Sequence, residues 1–421
     1  MTLKTQDFET ALAFLGTERR MHYSLEGFQK ALSDVGHPEK SVQSIVISGT
    51  NGKGSTALLV SSALSQAGYS VGTYLSPHLQ SPRERLLGGG QPVSETAFES
   101  LLRRHKRLAE KHALSYFEFL TLIYFVWAAE QKFEFSVLEV GLGGRLDATN
   151  VTEPIACAIT SIDWDHQEIL GDSLEKILAE KMGTLRKDSL VFTGIRQPEL
   201  LKSLESYCDR LDTIYYHARE LRTTCIERDW RGQQVEINGF PFFLTNPAVG
   251  ALENAATAFL LLRIVFPKIP IETLRKGFAN VLTPGRMERV SENPRVILSG
   301  DHNPAGIECL LQTLERLPPT SLHTVCAFSP DKPFGQMYER LKTVSESVFL
   351  TVVPRLREAM PPSYFEMGPV FVDPHSAIDD ALKSMPASGT LLVTGSLYLV
   401  GEVRGRWKSE ITGCFQSGQS S

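Results

Sequence analysis

The chain has 421 residues, is 42% apolar and carries a net charge of −5, a length that suits two domains rather than one. No lysine–arginine block stands out, so nucleic acid is not an expected partner; no apolar stretch reaches the roughly 18 residues that span a bilayer, so no membrane is expected either. The six cysteines are scattered without a Cys-x-x-Cys pair, and the first seven residues lack an apolar signal core, so a cytoplasmic protein with reduced thiols is expected.

In chain order, residues 7–15 and 25–35 read as helices flanking Arg19–Ser24, a linker that is either plain surface or the rim of a site. The stretch Ser44–Thr56 organises the rest of the chain. Ile45-Val46-Ile47 is an apolar run, Gly49-Thr50-Asn51-Gly52-Lys53-Gly54-Ser55 is a glycine-rich turn, and residues 57–64 read as a helix. This is the layout of a phosphate-binding loop. Glycines let the backbone wrap an anion, helix-start amides point at it, Lys53 brings a mobile charge, and Ser55 or Thr56 can reach a Mg²⁺. The loop is compressed: Ile47 stands where the common pattern has its first glycine, and Gly54 stands where it has Ser or Thr.

Residues 69–75 read as the next strand, ending in Ser76-Pro77-His78. Residues 94–112 form an amphipathic helix with Phe98, Leu101, Leu102 and Leu108 on its apolar stripe, and 117–131 a more buried one. A strand over 135–140 ends in Glu139 and a glycine-rich turn, and one over 155–162 ends in Asp163-Trp164-Asp165-His166. The alternation continues to residue 216 and predicts a parallel sheet with crossover helices. Residues 221–245 read as a small antiparallel element, 247–266 and 271–279 as helices, and 282–286 as a linker. The alternation then restarts, with strands at 295–299, 322–327, 347–353 and 390–394 and helices at 304–316, 333–345, 376–384 and 396–407. The expected fold class is α/β: a P-loop ATPase-like domain with a mostly parallel sheet over 1–283, and a smaller C-terminal Rossmann-like α/β domain over 284–421. The polar tail 415–421 is expected to fray.

Ligands of open parallel sheets bind outside the carboxyl ends of the strands. Those ends carry the P-loop, Ser76, Glu139 and His166. Glu139 resembles the acid that closes a Walker B strand and holds Mg²⁺, and Gly141, Gly143 and Gly144 leave room for a ligand beside it. His166 either caps a loop or binds metal, an unusual ligand for an oxygen-seeking ion. Arg145 has the fork to clamp a substrate carboxylate, with Asp147 beside it; the alternative is a surface turn. Gly300-Asp301-His302-Asn303-Pro304 is a second strand-end cluster, in which Pro304 also suits a first helical position. Asp331-Lys332 lies at a similar depth. If the two domains face each other, an ATP gripped by the first is closed over by the second, excluding water from a phosphorylated intermediate.

Together these motifs resemble the folylpolyglutamate synthase and dihydrofolate synthase family, a branch of the Mur-type amide ligases, over nearly the whole chain. The resemblance rests on Gly49–Ser55, Leu75–His78, Tyr116–Thr121, Glu139–Asn150, Asp165-His166, Glu180–Gly183, Pro284–Glu288, His302–Pro304 and Thr394–Leu399. It implies an ATP-dependent ligase that converts a carboxylate to an acyl phosphate, which L-glutamate attacks. Dihydropteroate and reduced folates are the implied acceptors, and the run Gly144–Asn150 resembles the bifunctional bacterial form. A single-activity member, a cell-wall Mur ligase and an ATP-switched binding protein are the alternatives.

By the same resemblance Gly49, Thr50, Asn51, Gly52, Lys53, Gly54 and Ser55 hold the triphosphate. Ser76 and Glu139 hold one Mg²⁺ and His166 helps with a second. Lys181 is often carbamylated in such enzymes, and Lys53, Lys181 and His166 carry the catalysis. Asn254, Arg286 and His302 match nucleotide contacts. The usual aspartate of the second cluster is Ser299 here, and Asp301 is the candidate to replace it. Arg145, Asp147 and Phe117 are the implied substrate residues, with Tyr116 and Phe119 either lining the pterin pocket or filling the core. A monomer is expected.

Overall fold

The computed structural model describes residues 12, 15, 24–408 and 413–416. Most of the expected helix at 7–15 and of the Arg19–Ser24 linker lies outside the described residues.

The larger sheet contains β1 (Gln43–Ser48), β2 (Val71–Tyr74), β3 (Leu86–Gly88), β4 (Gln91–Pro92), β5 (Phe135–Glu139), β6 (Ala156–Ile159), β7 (Leu190–Thr193) and β8 (Tyr215–His217). Their order is β4-β3-β2-β5-β1-β6-β7-β8. The pairings from β2 through β8 are parallel, and the β3–β4 hairpin adds an antiparallel edge that the alternation does not announce. β1 lies mid-sheet and is covered on both faces, which is why it is an unbroken apolar run rather than an alternating one. Val46 and Leu138 face one core with the helix Tyr116–Gln131; Ile45, Ile47 and Val137 face the other with the P-loop helix Lys53–Gln66. Ser115 starts the helix Tyr116–Gln131 with a capping box, accepting the Glu118 amide while Glu118 accepts the Ser115 amide.

A three-stranded antiparallel sheet of β9 (Thr223–Asp229), β10 (Gly232–Ile237) and β11 (Phe240–Leu244) comes next, as the sequence predicts. Val235, Ile237, Phe242 and Leu244 pack it into the core on the P-loop side. The helices Val249–Val265 and Ile271–Ala279 close that side.

The smaller sheet contains β12 (Glu288–Glu292), β13 (Arg295–Ser299), β14 (Leu322–Cys326), β15 (Ser347–Thr351), β16 (Val370–Phe371) and β17 (Thr390–Thr394), in the order β12-β13-β17-β14-β15-β16. β13 through β16 pair in parallel. The edge strand β12 is antiparallel and absent from the sequence reading, because its charged residues show no apolar run. Of the tail expected to fray, 417–421 lie outside the described residues, whereas Phe415 and Gln416 are held in place. Phe415 bridges to Val281, the Cys414 amide donates to the Gly90 carbonyl, and the Leu282 amide donates to the Cys414 carbonyl. The returning chain thus ties the interdomain linker to the β3–β4 hairpin.

Among the described residues no helix is long and apolar enough to cross a membrane.

Candidate active site

The carboxyl ends of four adjacent strands meet at one edge of the larger sheet. β1 delivers the glycine loop, β2 delivers Ser76, β5 ends in Glu139, and the loop after β6 carries Asp163–His166. The helix of the loop begins at Lys53, with Gly52 as its cap at φ 86°. Left-handed backbone of this kind favours glycine. There is also no room for a side chain, because a Cβ at Gly52 would lie 2.1 Å from Asn254 Oδ1.

The loop is stitched to the end of β6. The Thr50 amide donates to the Ser161 carbonyl at 2.7 Å, and the Asn51 amide to Ser161 Oγ at 3.0 Å. Thr160 Oγ1 donates to the Asn51 carbonyl at 2.7 Å. This narrows the sequence reading. The amides of Thr50 and Asn51 are spent inside the protein, which leaves those of the first helical turn, Lys53 to Ser55, available to an anion. The choice between hydroxyls also resolves in space. Thr56 is fully buried, whereas Ser55 lines the cleft with Ser76 and Glu139.

Glu139 is 4% exposed and accepts the Ser76 amide on Oε2 at 2.8 Å. Gly54 leaves space over this carboxylate, for a Cβ there would lie 3.1 and 3.2 Å from its two oxygens. Burial pushes the Glu139 carboxyl up, opposed by Lys53, the Ser76 amide and Arg286. The same burial pushes the Lys53 ammonium down, opposed by Glu139 and Asp165. Lys53 Nζ donates to the Thr50 carbonyl at 3.0 Å. Lys181, 4% exposed on the helix Leu174–Met182, donates to the Gly49 carbonyl at 2.8 Å. Burial, reinforced by Lys53, pushes its ammonium down to about 7.

The second sheet turns its carboxyl edge toward this site. Asn303, which caps the helix Pro304–Leu314, donates to Asn51 Oδ1 at 3.2 Å and to Asp165 Oδ2 at 3.0 Å. Lys332 donates to Asp165 Oδ1 at 2.6 Å, with both side chains nearly buried. Burial alone would raise the Asp165 carboxyl, but His166, Lys332 and His302 hold it well below the usual carboxylate range. His302 Nδ1 lies 2.9 Å from the Gly300 carbonyl, which only accepts, so Nδ1 carries the proton and Nε2 keeps its lone pair. Burial holds this imidazole down to about 4, so it is neutral. His166 Nε2 lies 3.8 Å from Asp165, and burial lowers that imidazole too.

Ser299 and Asp301 form one unit: the Ser299 hydroxyl accepts the Met287 amide at 3.1 Å and donates to Asp301 Oδ2 at 2.6 Å. Burial pushes the Asp301 carboxyl up, opposed by the Ser299 hydroxyl and Arg286. Burial lowers the Arg286 guanidinium, which Glu139 and Asp301 partly offset.

Two of the three expected substrate residues come together. The space beside Gly141 is shared by Phe117 and Asp147, whose Cζ and Oδ2 lie 2.6 and 3.2 Å from where a Cβ would be. Asp147 also builds the turn, accepting the amides of Gly141, Leu142 and Thr149 at 3.0 Å each and the Thr149 hydroxyl at 2.6 Å. Arg145 is exposed and forked onto Glu180 Oε1 at 2.9 and 3.1 Å, so its charge is already matched by that carboxylate. Tyr116 and Phe119 are core residues, and Arg85 lies over the Tyr116 ring. The sequence places Asp165, Asn303 and Lys332 in strand-end clusters but names no role for them, and it singles out Arg85 nowhere. Strand-end position was the available signal for the first three; Arg85 had none.

No group of three or more His, Cys, Asp or Glu side chains among the described residues is arranged to hold a metal. Glu139 and the Ser76 hydroxyl are oxygen donors beside the phosphate-facing amides, which suits Mg²⁺ carried largely by phosphates and water. His166 and an unmodified Lys181 do not make a second oxygen site; a carboxylate on Lys181 Nζ would.

A family model described as Mur ligase, glutamate ligase domain, matches residues 285–397. The chain is 31% identical over 406 residues to the dihydrofolate synthase/folylpolyglutamate synthase of Bacillus subtilis, covering 90% of this chain and 94% of the relative. It is similar to folylpolyglutamate synthase of Mycobacterium tuberculosis solved with ADP and AMPPCP, with a TM-score of 0.86, 27% identity and coverage of 97% and 99% of the two chains. It is also similar to Escherichia coli FolC in complex with DHPP and ADP, with a TM-score of 0.83, 28% identity and coverage of 96% and 97%.

Proposed function

The chain belongs to the dihydrofolate synthase/folylpolyglutamate synthase family of ATP-dependent Mur-type ligases, and from that premise we propose that it joins L-glutamate both to dihydropteroate and to the γ-carboxyl of reduced folates through an acyl phosphate. The observation that carries this reading is the convergence of the glycine loop, Lys53, Ser76, Glu139 and Lys181 at one sheet edge that faces Asn303 and Lys332 of the second sheet.

The amides of Lys53 to Ser55 and the Lys53 ammonium bind the triphosphate of ATP, with Asn254, Arg286, Asp301 and His302 around the nucleotide. Ser76 and Glu139 would hold Mg²⁺, which would neutralise charge on the transferred phosphoryl group. Lys181, once a carbamate, and His166 would hold a second Mg²⁺. Phe117 and Asp147 face the pterin, and Arg145 reaches a substrate carboxylate only after leaving Glu180. The acceptor carboxylate attacks the γ-phosphorus and ADP leaves. The deprotonated amine of L-glutamate then attacks the acyl carbon and phosphate leaves. Asn51, Asn303, Asp165 and Lys332 draw the two domains together and keep water from the acyl phosphate. The division at 283/284, a monomeric state and a cytoplasmic location belong to the same reading.

Product mass tests it. The protein is incubated with Mg-ATP and L-glutamate, once with dihydropteroate and once with tetrahydrofolate. A glutamyl increment on both is the expected result. An increment on one alone makes a single-activity enzyme, and turnover only with a UDP-muramyl substrate overturns the reading. Acceptor labelled with ¹⁸O in its carboxylate should pass one ¹⁸O to the released phosphate.

A further inference from the structure

Arg404 lies far along the chain from every residue assigned a part above, yet it borders the same cleft as Ser76 and Glu139. It ends the helix Leu397–Arg404 of the second sheet and is 3% exposed. Its guanidinium forks. Nε and Nη2 donate to Glu288 at 2.9 and 2.8 Å, and Nη1 donates to Gln80 Oε1 of the first domain at 2.7 Å.

The loop that Gln80 belongs to is the one that begins at Ser76. Leu79 is clamped between two glycines of the other segments. A Cβ at Gly401 would lie 2.1 Å from the Leu79 carbonyl, and a Cβ at Gly285 would lie 3.0 Å from its side chain. Glu84 fastens the far end of the loop by accepting the amides of Leu79, Gln80 and Ser81 at 2.9, 3.0 and 2.9 Å. At the near end the Ser76 amide is on Glu139. Contacts at the two ends of this short loop, joined by the backbone from Ser76 to Leu79, therefore link Arg404 to the Glu139 carboxylate. A buried fork of this kind gains specificity from geometry more than net stability.

We propose that Arg404 is a positioning residue: by joining Gln80 to Glu288 it lets the second domain fix the Ser76–Ser81 loop, and through it the oxygen ligands that Ser76 and Glu139 offer to Mg²⁺. This rests on the assignment of Ser76 and Glu139 above. It gives the two domains a meeting point on the metal side of the loop, apart from the Asn303–Asp165 contact.

The test uses the full chain and three variants. Gln80→Leu removes the interdomain acceptor and leaves the Arg404–Glu288 pair whole. Arg404→Lys keeps the charge but cannot fork. Gln80→Glu restores an acceptor. Mn²⁺ is titrated by electron paramagnetic resonance into protein saturated with a non-hydrolysable ATP analogue. Gln80→Leu and Arg404→Lys should weaken Mn²⁺ about tenfold and lower kcat about tenfold to a hundredfold, the effect of a small misplacement. KM for ATP and metal-free nucleotide affinity should hold, and Gln80→Glu should recover most of both losses. Wild-type Mn²⁺ affinity in folded Gln80→Leu protein overturns the proposal, as does Gln80→Glu failing like Gln80→Leu. A wild-type protein that binds no Mn²⁺ beside the analogue overturns the assignment of Ser76 and Glu139 instead.

Discussion

Burial pushes Lys53 and Glu139 each toward the neutral form, and each is the other's largest electrostatic support. Groups kept in this way respond to charge arriving between them. Lys53→Ala or Glu139→Ala should lower glutamate-dependent ADP formation by orders of magnitude, while circular dichroism stays that of the wild type. Near-normal turnover in either variant would refute their assignment. Lys181 is a separate case. Its pKa of about 7 is far below the usual 10.5, so the folded protein holds a neutral amine from pH 7 upward. Between those two values the unfolded chain binds a proton that the folded chain does not, so stability should rise with pH across that window. A neutral amine is also the form that adds CO₂, releasing a proton and leaving a carbamate. In ¹³C-bicarbonate a carbamate resonance should appear with a midpoint near pH 7 and be absent in Lys181→Arg. Its absence from wild-type protein at pH 8 would exclude the modification.

The helix Lys53–Gln66 shows how an element can be determined at its start by one residue. Gly52 combines left-handed backbone with an Asn254 contact that leaves no space for a methyl group. Gly52→Ala imposes about 1–2 kcal/mol of backbone strain and displaces Asn254. Nucleotide affinity, measured by calorimetry, should fall at least about tenfold, since 1.4 kcal/mol is tenfold in an equilibrium constant. Unchanged affinity would show that the loop has a relaxed alternative. The same element corrects the breadth of the phosphate grip, because the end of β6 already holds the amides of Thr50 and Asn51.

The two sheets meet through Asp165. Its carboxyl is depressed by His166, Lys332 and His302 against the pull of burial, so it contributes stability above its unfolded value of 3.8, lost as pH falls through that region. Lys332→Met leaves a nearly buried anion short of its closest cation, a change that costs about 3 kcal/mol or more in comparable cases. The variant should unfold at lower denaturant at pH 7, and its deficit should shrink toward pH 3, where wild-type Asp165 begins to lose the same contribution. A deficit that is constant from pH 7 to pH 3 would show that the pair contributes nothing through charge. Small-angle scattering should also show a larger radius of gyration if the pair holds the domains together.

Much of this molecule is legible in its sequence because its signals are local. An apolar run feeding a glycine turn reports β1 and the P-loop, and the alternation of runs reports two parallel sheets, since crossover helices bury both faces. Strand-end polar residues such as Ser76 and Glu139 are visible for the same reason: topology puts ligands at carboxyl ends. Tertiary structure alone decided which of these groups still face outward. Whether Arg145 meets a ligand or Glu180, whether Thr56 or Ser55 lines the cleft, and whether Phe119 is pocket or core depend on partners distant in sequence. The joins between domains were beyond the sequence for the same reason. Asp165 meets Lys332, and Arg404 meets Gln80, across 167 and 324 positions, and no periodicity within either segment records a contact that packing creates.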